Sequence, residues 1–458
     1  MRLRRRRTVG PRFETVGRFR PFEVLSPGFV EVSSTAGNCT GLVRSGWSPP
    51  APFVAVSVEV PRGGATVFAG LAAENGDHLI GFHDPAAREV GIEIRSGGLT
   101  SVLRAKRVRG RVRRMAFVLC ENQPTVLVDT GRGWQAMVAD KHRVALRIDF
   151  RQPETLARFT AAWGSRGGTA DLGTVRAGIF GMAGLRDLHV VQYADGSPYV
   201  GDDGRMYLTA TCAGLGFFTQ AHWGVFAFDP ARVAEDGLEQ TAHLFSRRDG
   251  LLLGDHAGQL VRDGDTWHVA VSSWGDFSPP SGVHVRHLRT DDDLLHGVHV
   301  LKTERTPMPT GRGSYDPGMT RIDGRWHVSY VESVSHQPSQ FHPALAVGPA
   351  GAADWTEGLQ RVGEASELDF CEGAILARLG EEWRVLASDG KARCYPVFDL
   401  SMRRVGDLDA DYGSNLPHPN VVELPDGRLL LLTFDGTPHR KRVLGYGTHG
   451  DVIVMRTP

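Results

Sequence analysis

Five residues head similar units in the second half of the chain: Asp187, His256, Asp316, Glu372 and His418. Three of them are carboxylic acids, in the first, third and fourth units. Carboxyls that converge raise one another's pKa, so one stays protonated while another is ionised. Hydrolysis of a glycosidic bond needs that split. One carboxylate activates water and one carboxylic acid protonates the leaving oxygen, roughly 6.5–9.5 Å apart when the anomeric centre is inverted. A third carboxylate helps keep the acid protonated by like-charge repulsion. A lone acid at a strand start is ordinarily a turn cap or a solvated charge. Three of them at matching places in aligned units make a stronger signal.

The unit that positions these residues is clearest from Asp316 to Glu332, DPGMTRIDGRWHVSYVE. A charged residue opens an apolar run, a DG turn follows, and a second strand begins with an aromatic. Related stretches start at His256 (HAGQLVRDGDTWHVAVSS), Glu372 (EGAILARLGEEWRVLAS) and His418 (HPNVVELPDGRLLLLTF), each reaching its turn glycine (Gly264, Gly324, Gly380, Gly427) eight or nine residues on. Asp187 opens DLHVVQYADGSPYVGDDGRMYLTAT, the same unit with an insertion in its first turn. The heads are 69, 60, 56 and 46 residues apart, which suits four-stranded blades with variable loops. One such sheet cannot bury both faces alone, so the units are predicted to stack radially with the first strand innermost and its head on the channel. The aromatics after the turns, Tyr207, Trp267, Trp326 and Trp383, are expected to pack between blades. Trp223, Phe277 and Tyr315 are freer, loop-borne and able to line a pocket. Trp223, His256, Trp274 and Arg312 are candidate substrate contacts. Asp255 is a rival to its neighbour for a tuning role, but alignment on the turn glycine puts His256 at the head. Cys371 reads as a small buried hydrophobe rather than a nucleophile.

The first half has a different pattern. FVAVSVEV, ATVFAGLAA, HLIGFHD, VGIEIRS, RRMAFVLC and PTVLVDT alternate apolar and polar residues over strand lengths. A chain of 458 residues exceeds the roughly 250–300 that one core serves. With 56 Gly and 26 Pro, it reads as many short strands and turns. The predicted class is all-β, an N-terminal jelly-roll-like β-sandwich followed by a five-bladed β-propeller. The expected boundaries are a basic disordered tail at 1–19, the sandwich at 20–160, a linker at 161–184 and the propeller at 185–458, with a short helix in ETLARFTAAW at the start of the mixed stretch from about Gln152 to Gly184 that joins the halves. Trp134 is a candidate sugar-stacking platform in the sandwich, with a packed core tryptophan as the plainer reading.

Net charge is zero, so nucleic acid is not an expected partner. The arginines among the first seven residues precede no apolar stretch of signal-peptide type, and no run is apolar enough to span a membrane. Five scattered cysteines make neither a disulfide framework nor a zinc site. The expectation is a cytoplasmic protein, with secretion as the alternative.

RDLHVV at Arg186, SYDPGMTRIDGRWHVSY at Ser314 and CEGAILARLGEEWRVLAS at Cys371 resemble the three catalytic segments of family 43 glycoside hydrolases and their clan relatives. The first half resembles concanavalin or laminin G modules in pattern, which bind carbohydrate or serve as structural caps. The propeller resemblance covers roughly the last 270 residues. It implies Asp187 as general base, Asp316 as the residue that tunes the acid and positions substrate, and Glu372 as general acid. It also places His418 where the family has a central His close to a water-coordinated metal. The implied activity is hydrolysis of furanosides or pentose-containing glycans by inversion, with an oligo- or polysaccharide as partner. No cofactor is required, and a structural calcium or other ion is expected at most in the channel. His256 and His418 themselves read as hydrogen-bonded channel residues, because two His without defined spacing make a weak ligand signal. Two departures stand out: Asp187 is followed by Leu188 where the family writes DP, and Glu372-Gly373 by Ala374 where it writes EGP. A retaining glycosidase or transglycosylase and a non-catalytic carbohydrate-binding propeller are the alternative readings.

Overall fold

The computed structural model describes residues 7–28, 30–36, 39–233, 237–437 and 450–458. Residues 1–6, which hold most of the basic cluster, lie outside them. Five sheets make the propeller. Their first strands are Leu185–Val190, His256–Asp263, Gly313–Ile322, Cys371–Leu379 and Asn420–Glu423. These pack in a ring about a central channel. Each sheet then steps outward by antiparallel pairing, as in Gly313–Ile322, Arg325–His336, Ser339–Ala350 and Gln360–Glu364 of blade three. The aromatics after the turns are where stacking blades need bulk. Tyr207 and Trp267 share one buried cluster with Val225 on blade one and Val269 on blade two, and Trp326 is buried in another.

The fifth blade corrects the expected tail. Its outermost strand is Glu14–Phe19, paired antiparallel to Asp451–Arg456, while Thr8–Val9 adds a parallel edge to blade four at Arg404–Leu408. The chain's two ends therefore close the ring together. Phe19 is buried, and its ring meets Phe228 of blade one edge-on at 6.1 Å. Arg18 and Arg20 place guanidinium nitrogens 2.7 and 2.8 Å from buried Asp451. A short basic strand with few apolar residues looks like a tail, because its pairing partner lies more than 400 residues away.

The sandwich is correspondingly an insertion between the last blade's outer strand and the first blade. It has two six-stranded sheets. Alternate residues of each strand face its core: Val54, Val56 and Val58 against Val67, Ala69 and Leu71, with Met115, Phe117 and Leu119 beside them. The predicted linker and most of the predicted helix belong here too. Only Pro153–Leu156 is helical; Phe159–Ala170 is a strand whose Phe159, Ala161 and Trp163 enter the core at period two, and Gly173–Ile179 is another. Trp134 begins a strand, packs partly buried at the sandwich–propeller boundary and carries the Arg114 guanidinium 4.8 Å above its ring.

The other face of the same strands meets the propeller. Phe53, Ala55, Ala116 and Val118 pack with Leu215 and Phe245 of blade one. Phe53 stacks on Phe245 at 5.4 Å and touches the His222 ring at 5.0 Å. Polar bonds lock the joint: the Gly254 N–H donates to buried Glu121 at 3.2 Å, and the Leu252 N–H to the Arg151 carbonyl at 2.7 Å.

Phe19→Ala should cost about 3–4 kcal/mol in denaturant unfolding, because it empties a fully buried aromatic site where blade five meets blade one. A loss below about 1 kcal/mol would mean that the N-terminal strand contributes little to ring closure.

Candidate active site

The chemistry-bearing residues stand on one repeated backbone device. Each of the first four inner strands breaks register near its start, between Arg186 and His189, His256 and Gln259, Tyr315 and Gly318, and Glu372 and Ile375. Each break contains a left-handed residue: Asp187 (φ 48), Ala257 (φ 53), Asp316 (φ 48) and Gly373 (φ 69). These are β-bulges, which re-aim side chains at the rim of a sheet. The left-handed conformation costs about 1–2 kcal/mol for residues other than Gly. Aspartate tolerates it better than most.

Neighbouring blades hold the bulges. The Ala257 N–H donates to Thr211 Oγ1 (3.1 Å), the Asp316 N–H to Ser272 Oγ (2.9 Å) and the Gly373 N–H to Asp316 Oδ2 (3.2 Å). Below them, Thr209 donates to the Gly258 carbonyl (2.6 Å), Ser329 to that of Ala374 (2.7 Å) and Asn420 to that of Leu188 (2.8 Å). The carbonyls of Leu188 and Ala374, which stand where the family motifs have proline, thus receive bonds from the preceding blade. At Gly373 a Cβ would lie 2.4 Å from His418 Cδ2, so that position excludes a side chain on two counts.

His418 is buried at the middle of this arrangement. Its Nε2 lies 3.3 Å from Asp316 Oδ2 and 3.7 Å from Asp187 Oδ1. His256 Nδ1 lies 3.9 Å from Asp187 Oδ2, and its Nε2 is 3.1 Å from the Phe218 carbonyl. Burial by itself disfavours the imidazolium of His418, but Asp316, Asp187 and Glu372 outweigh it and push the pKa up to about 9. Burial likewise opposes ionisation of Asp187, yet the positive field of His418 and Arg186, with His256 and a hydrogen bond from Thr211, holds its carboxyl below the usual range. Glu372 goes the other way. Burial first, then the charges of Asp316 and Asp187, push its pKa up to about 8. The Tyr315 hydroxyl donates to Glu372 Oε2 at 3.3 Å. Two carboxyls of one site are thereby driven in opposite directions.

These groups open into a pocket of about 800 Å³ that also includes Arg186, Trp274 and His256. Its walls are aromatic: Phe218 stacks on Trp274 at 4.8 Å, Trp274 meets Tyr315 edge-on at 5.1 Å, and Phe341 and Phe370 follow on the far side. Phe217 stands on the rim, 54% exposed.

Two expected contacts lie elsewhere. Trp223 is fully buried within the strand His222–Phe228, in the core between blades one and two, because its strand's alternation turns it inward. Arg312 does not line the pocket; it pairs with the fully buried Glu332 at 3.0 Å, as does Arg361 at 2.5 Å. Asp255 is buried against Arg248 Nε (2.5 Å) and accepts the Gly275 N–H, a structural role beside the site. Cys371 is buried, and burial drives its thiol pKa well up. Sequence reasoning missed Arg186, whose guanidinium lies 4.9 Å over Phe434 and donates to the Asn415 carbonyl, and His189, a buried channel residue whose pKa burial lowers to about 3. Both flank Asp187 in the sequence, at positions that a bulge brings onto the axis.

One oxygen each of Asp316 and Glu372 and a ring nitrogen of His418 lie within 4.8 Å of one another. This set does not fit the channel calcium suggested by the sequence. Calcium takes six to eight oxygen ligands. Here only three donors gather among the described residues, and one of them is an imidazole nitrogen rather than an oxygen. His418 itself supplies the positive charge between the carboxylates.

No protein-family model matches the chain, and no curated protein matches it. Among solved structures, it is similar to the alpha-L-arabinanase of Penicillium chrysogenum complexed with arabinobiose, at 12% identity over 94% of this chain and 98% of that one, with a TM-score of 0.38. It is similar to the GH43_1 enzyme from Xanthomonas citri at 16% identity, covering 58% and 87%, TM-score 0.40. A third is the GH93 alpha-L-arabinofuranosidase of Fusarium graminearum with arabinobiose, at 8% identity, 93% and 98% covered, TM-score 0.37.

A carboxyl whose folded pKa is raised favours folding fully only below its unfolded pKa, and that contribution is lost as pH rises towards the folded value. For Glu372 the window runs from about 4.5 to about 8. Glu372→Gln removes the titration, so its stability relative to wild type should increase by more than roughly 2 kcal/mol between pH 5 and 8. Parallel unfolding curves at the two pH values would show that Glu372 ionises normally.

Proposed function

We propose that the propeller is a glycoside hydrolase acting on furanosides or pentose-containing glycans by single-displacement inversion. Asp187 is the general base that activates water, Glu372 the general acid that protonates the leaving oxygen, and Asp316 the residue that keeps Glu372 protonated. The observation that carries this reading is the opposite displacement of two carboxyl pKa values within one pocket, Asp187 down and Glu372 up to about 8. Paired titratable groups pushed apart by their surroundings mark an acid and a base.

The surroundings suit such a reaction. His418 keeps Asp187 ionised, and Tyr315 orients Glu372 through its hydroxyl. Phe218, Trp274 and Phe341 offer flat apolar faces of the kind that pack on sugar rings. The motif resemblance of the three carboxylate segments is what supports the pentose class.

Glu372→Gln should lower kcat on natural oligosaccharides by roughly 10²–10⁴-fold. The loss should be far smaller on an aryl glycoside with a dinitrophenolate leaving group, which needs no proton. Asp187→Asn should abolish both. In wild type, kcat/KM should fall above about pH 8 as Glu372 loses its proton. Proton NMR of the first product separates the mechanisms, because a product with the substrate's anomeric configuration would make Asp187 a nucleophile instead. Glu372→Gln with wild-type turnover of oligosaccharides would overturn the assignment.

A further inference from the structure

The sandwich carries a second cleft, larger than the propeller pocket and of opposite character. It has a volume of about 1800 Å³ and lies at one end of the sandwich. Arg62, Arg88, Lys106, Arg107, Arg109 and Arg111 line it, without an acidic or aromatic residue among the lining side chains. The chain as a whole has no net charge, so this concentration is local. None of the six cations makes an ion pair among the described residues, whereas Arg104 and Arg114 next to them are held by Asp140 and Asp129.

The cations are presented by ordered backbone. The segment from Arg107 to Arg113 crosses from one sheet to the other, with Val108 and Val112 buried in the core and the arginines between them turned out. Its ends are pinned: the Val108 N–H donates to the Arg88 carbonyl, the Val60 N–H to the Arg113 carbonyl, each at 2.8 Å. At the wall is His83, 7% exposed, whose Nδ1 has no hydrogen-bond partner among the described residues. Like charges gathered along one cleft repel one another, and an anionic ligand relieves that cost.

We propose that this cleft is a binding site for a linear acidic glycan, one bearing carboxylate or sulfate groups along its length. Guanidinium groups bind both anions bidentately. Neutral sugars are recognised largely through aromatic platforms, and single-stranded nucleic acid through base stacking on them; this cleft has neither. That the anion is carried on a glycan rests on the proposed glycosidase reading. A chain held on the sandwich would be tethered to the same rigid body that carries the propeller pocket.

Affinity electrophoresis of the full-length protein tests this, in gels containing polygalacturonate, heparin or neutral arabinan. Retardation is expected with polygalacturonate, heparin or both, and the polymer that retards names the anion. It should weaken as sodium chloride is raised from about 0.05 to 0.5 M. R107Q/R109Q/R111Q and, on other segments of the lining, R62Q/R88Q should each lower the affinity by roughly tenfold or more, a loss of one to two charge-assisted hydrogen bonds. Two variants guard against misfolding of one. Both should hydrolyse a small neutral aryl glycoside at the wild-type rate, so that a failed glycosidase reading registers separately, in the wild-type assay. Equal retardation by arabinan, no retardation by either acidic polymer, wild-type affinity in both variants, or displacement of the glycan by an oligonucleotide at lower charge concentration would overturn the proposal.

Discussion

The arrangement at the axis depends on one contact, the buried imidazole of His418 between Asp316 at 3.3 Å and Asp187 at 3.7 Å. Three carboxyls crowded at the foot of one pocket cannot all ionise without a counter-charge. A single cation satisfies part of the demand and leaves the rest to be met by a proton. Because His418 faces the two aspartates, the proton settles on Glu372, whose burial and anionic neighbours outweigh the field of the imidazolium. Removing one partner of such a buried set is costly, since it strands the others. The polarity of the site therefore follows from where blade five delivers its histidine.

Delivery depends on backbone rather than on the side chains themselves. An inner strand of regular pleat alternates residues between its two neighbouring blades, and only its end faces the axis. The bulges at Asp187, Ala257, Asp316 and Gly373 turn a side chain or an N–H into the channel instead. Their strain is sustained because the blade before over-determines them: the N–H groups of Ala257, Asp316 and Gly373 donate to Thr211, Ser272 and Asp316, and beside Asp187 the Leu188 carbonyl accepts from Asn420 of blade five. The same bonds make the site a property of the closed ring: each blade holds its neighbour's catalytic candidate in place.

This device explains what the sequence discloses and what it hides. The heads Asp187, Asp316, Glu372 and His418 are legible because each opens an apolar run eight or nine residues ahead of a turn glycine. The bulge itself is not. Alignment on the glycine puts His256 and Glu372 level with Asp187 and Asp316, whereas the register breaks show them one residue earlier, level with Arg186 and Tyr315. HWGVFAF is apolar on both faces, so alternation does not say which side of the strand Trp223 buries, and the sequence pattern leaves it with the loop aromatics. The strands Glu14–Phe19 and Phe159–Ala170 were read as tail and linker because their partners are distant in sequence, and pairing of that kind leaves no local trace.

The insertion of the sandwich has a consequence for the propeller. A ring of blades has one seam, and here the seam is blade five, three strands from the C-terminus and one from residues 14–19. Both segments that bracket the sandwich are thus anchored in the propeller: Glu14–Phe19 on blade five before it and Leu185–Val190 on blade one after it. With Phe53 stacked on Phe245 and Glu121 buried against Gly254, the sandwich closes over the junction between the first and second blades. It is fixed to the ring at both chain crossings and along one face. A ligand held on the sandwich is for that reason at a set distance and orientation from Asp187 and Glu372, which a flexible linker would not provide.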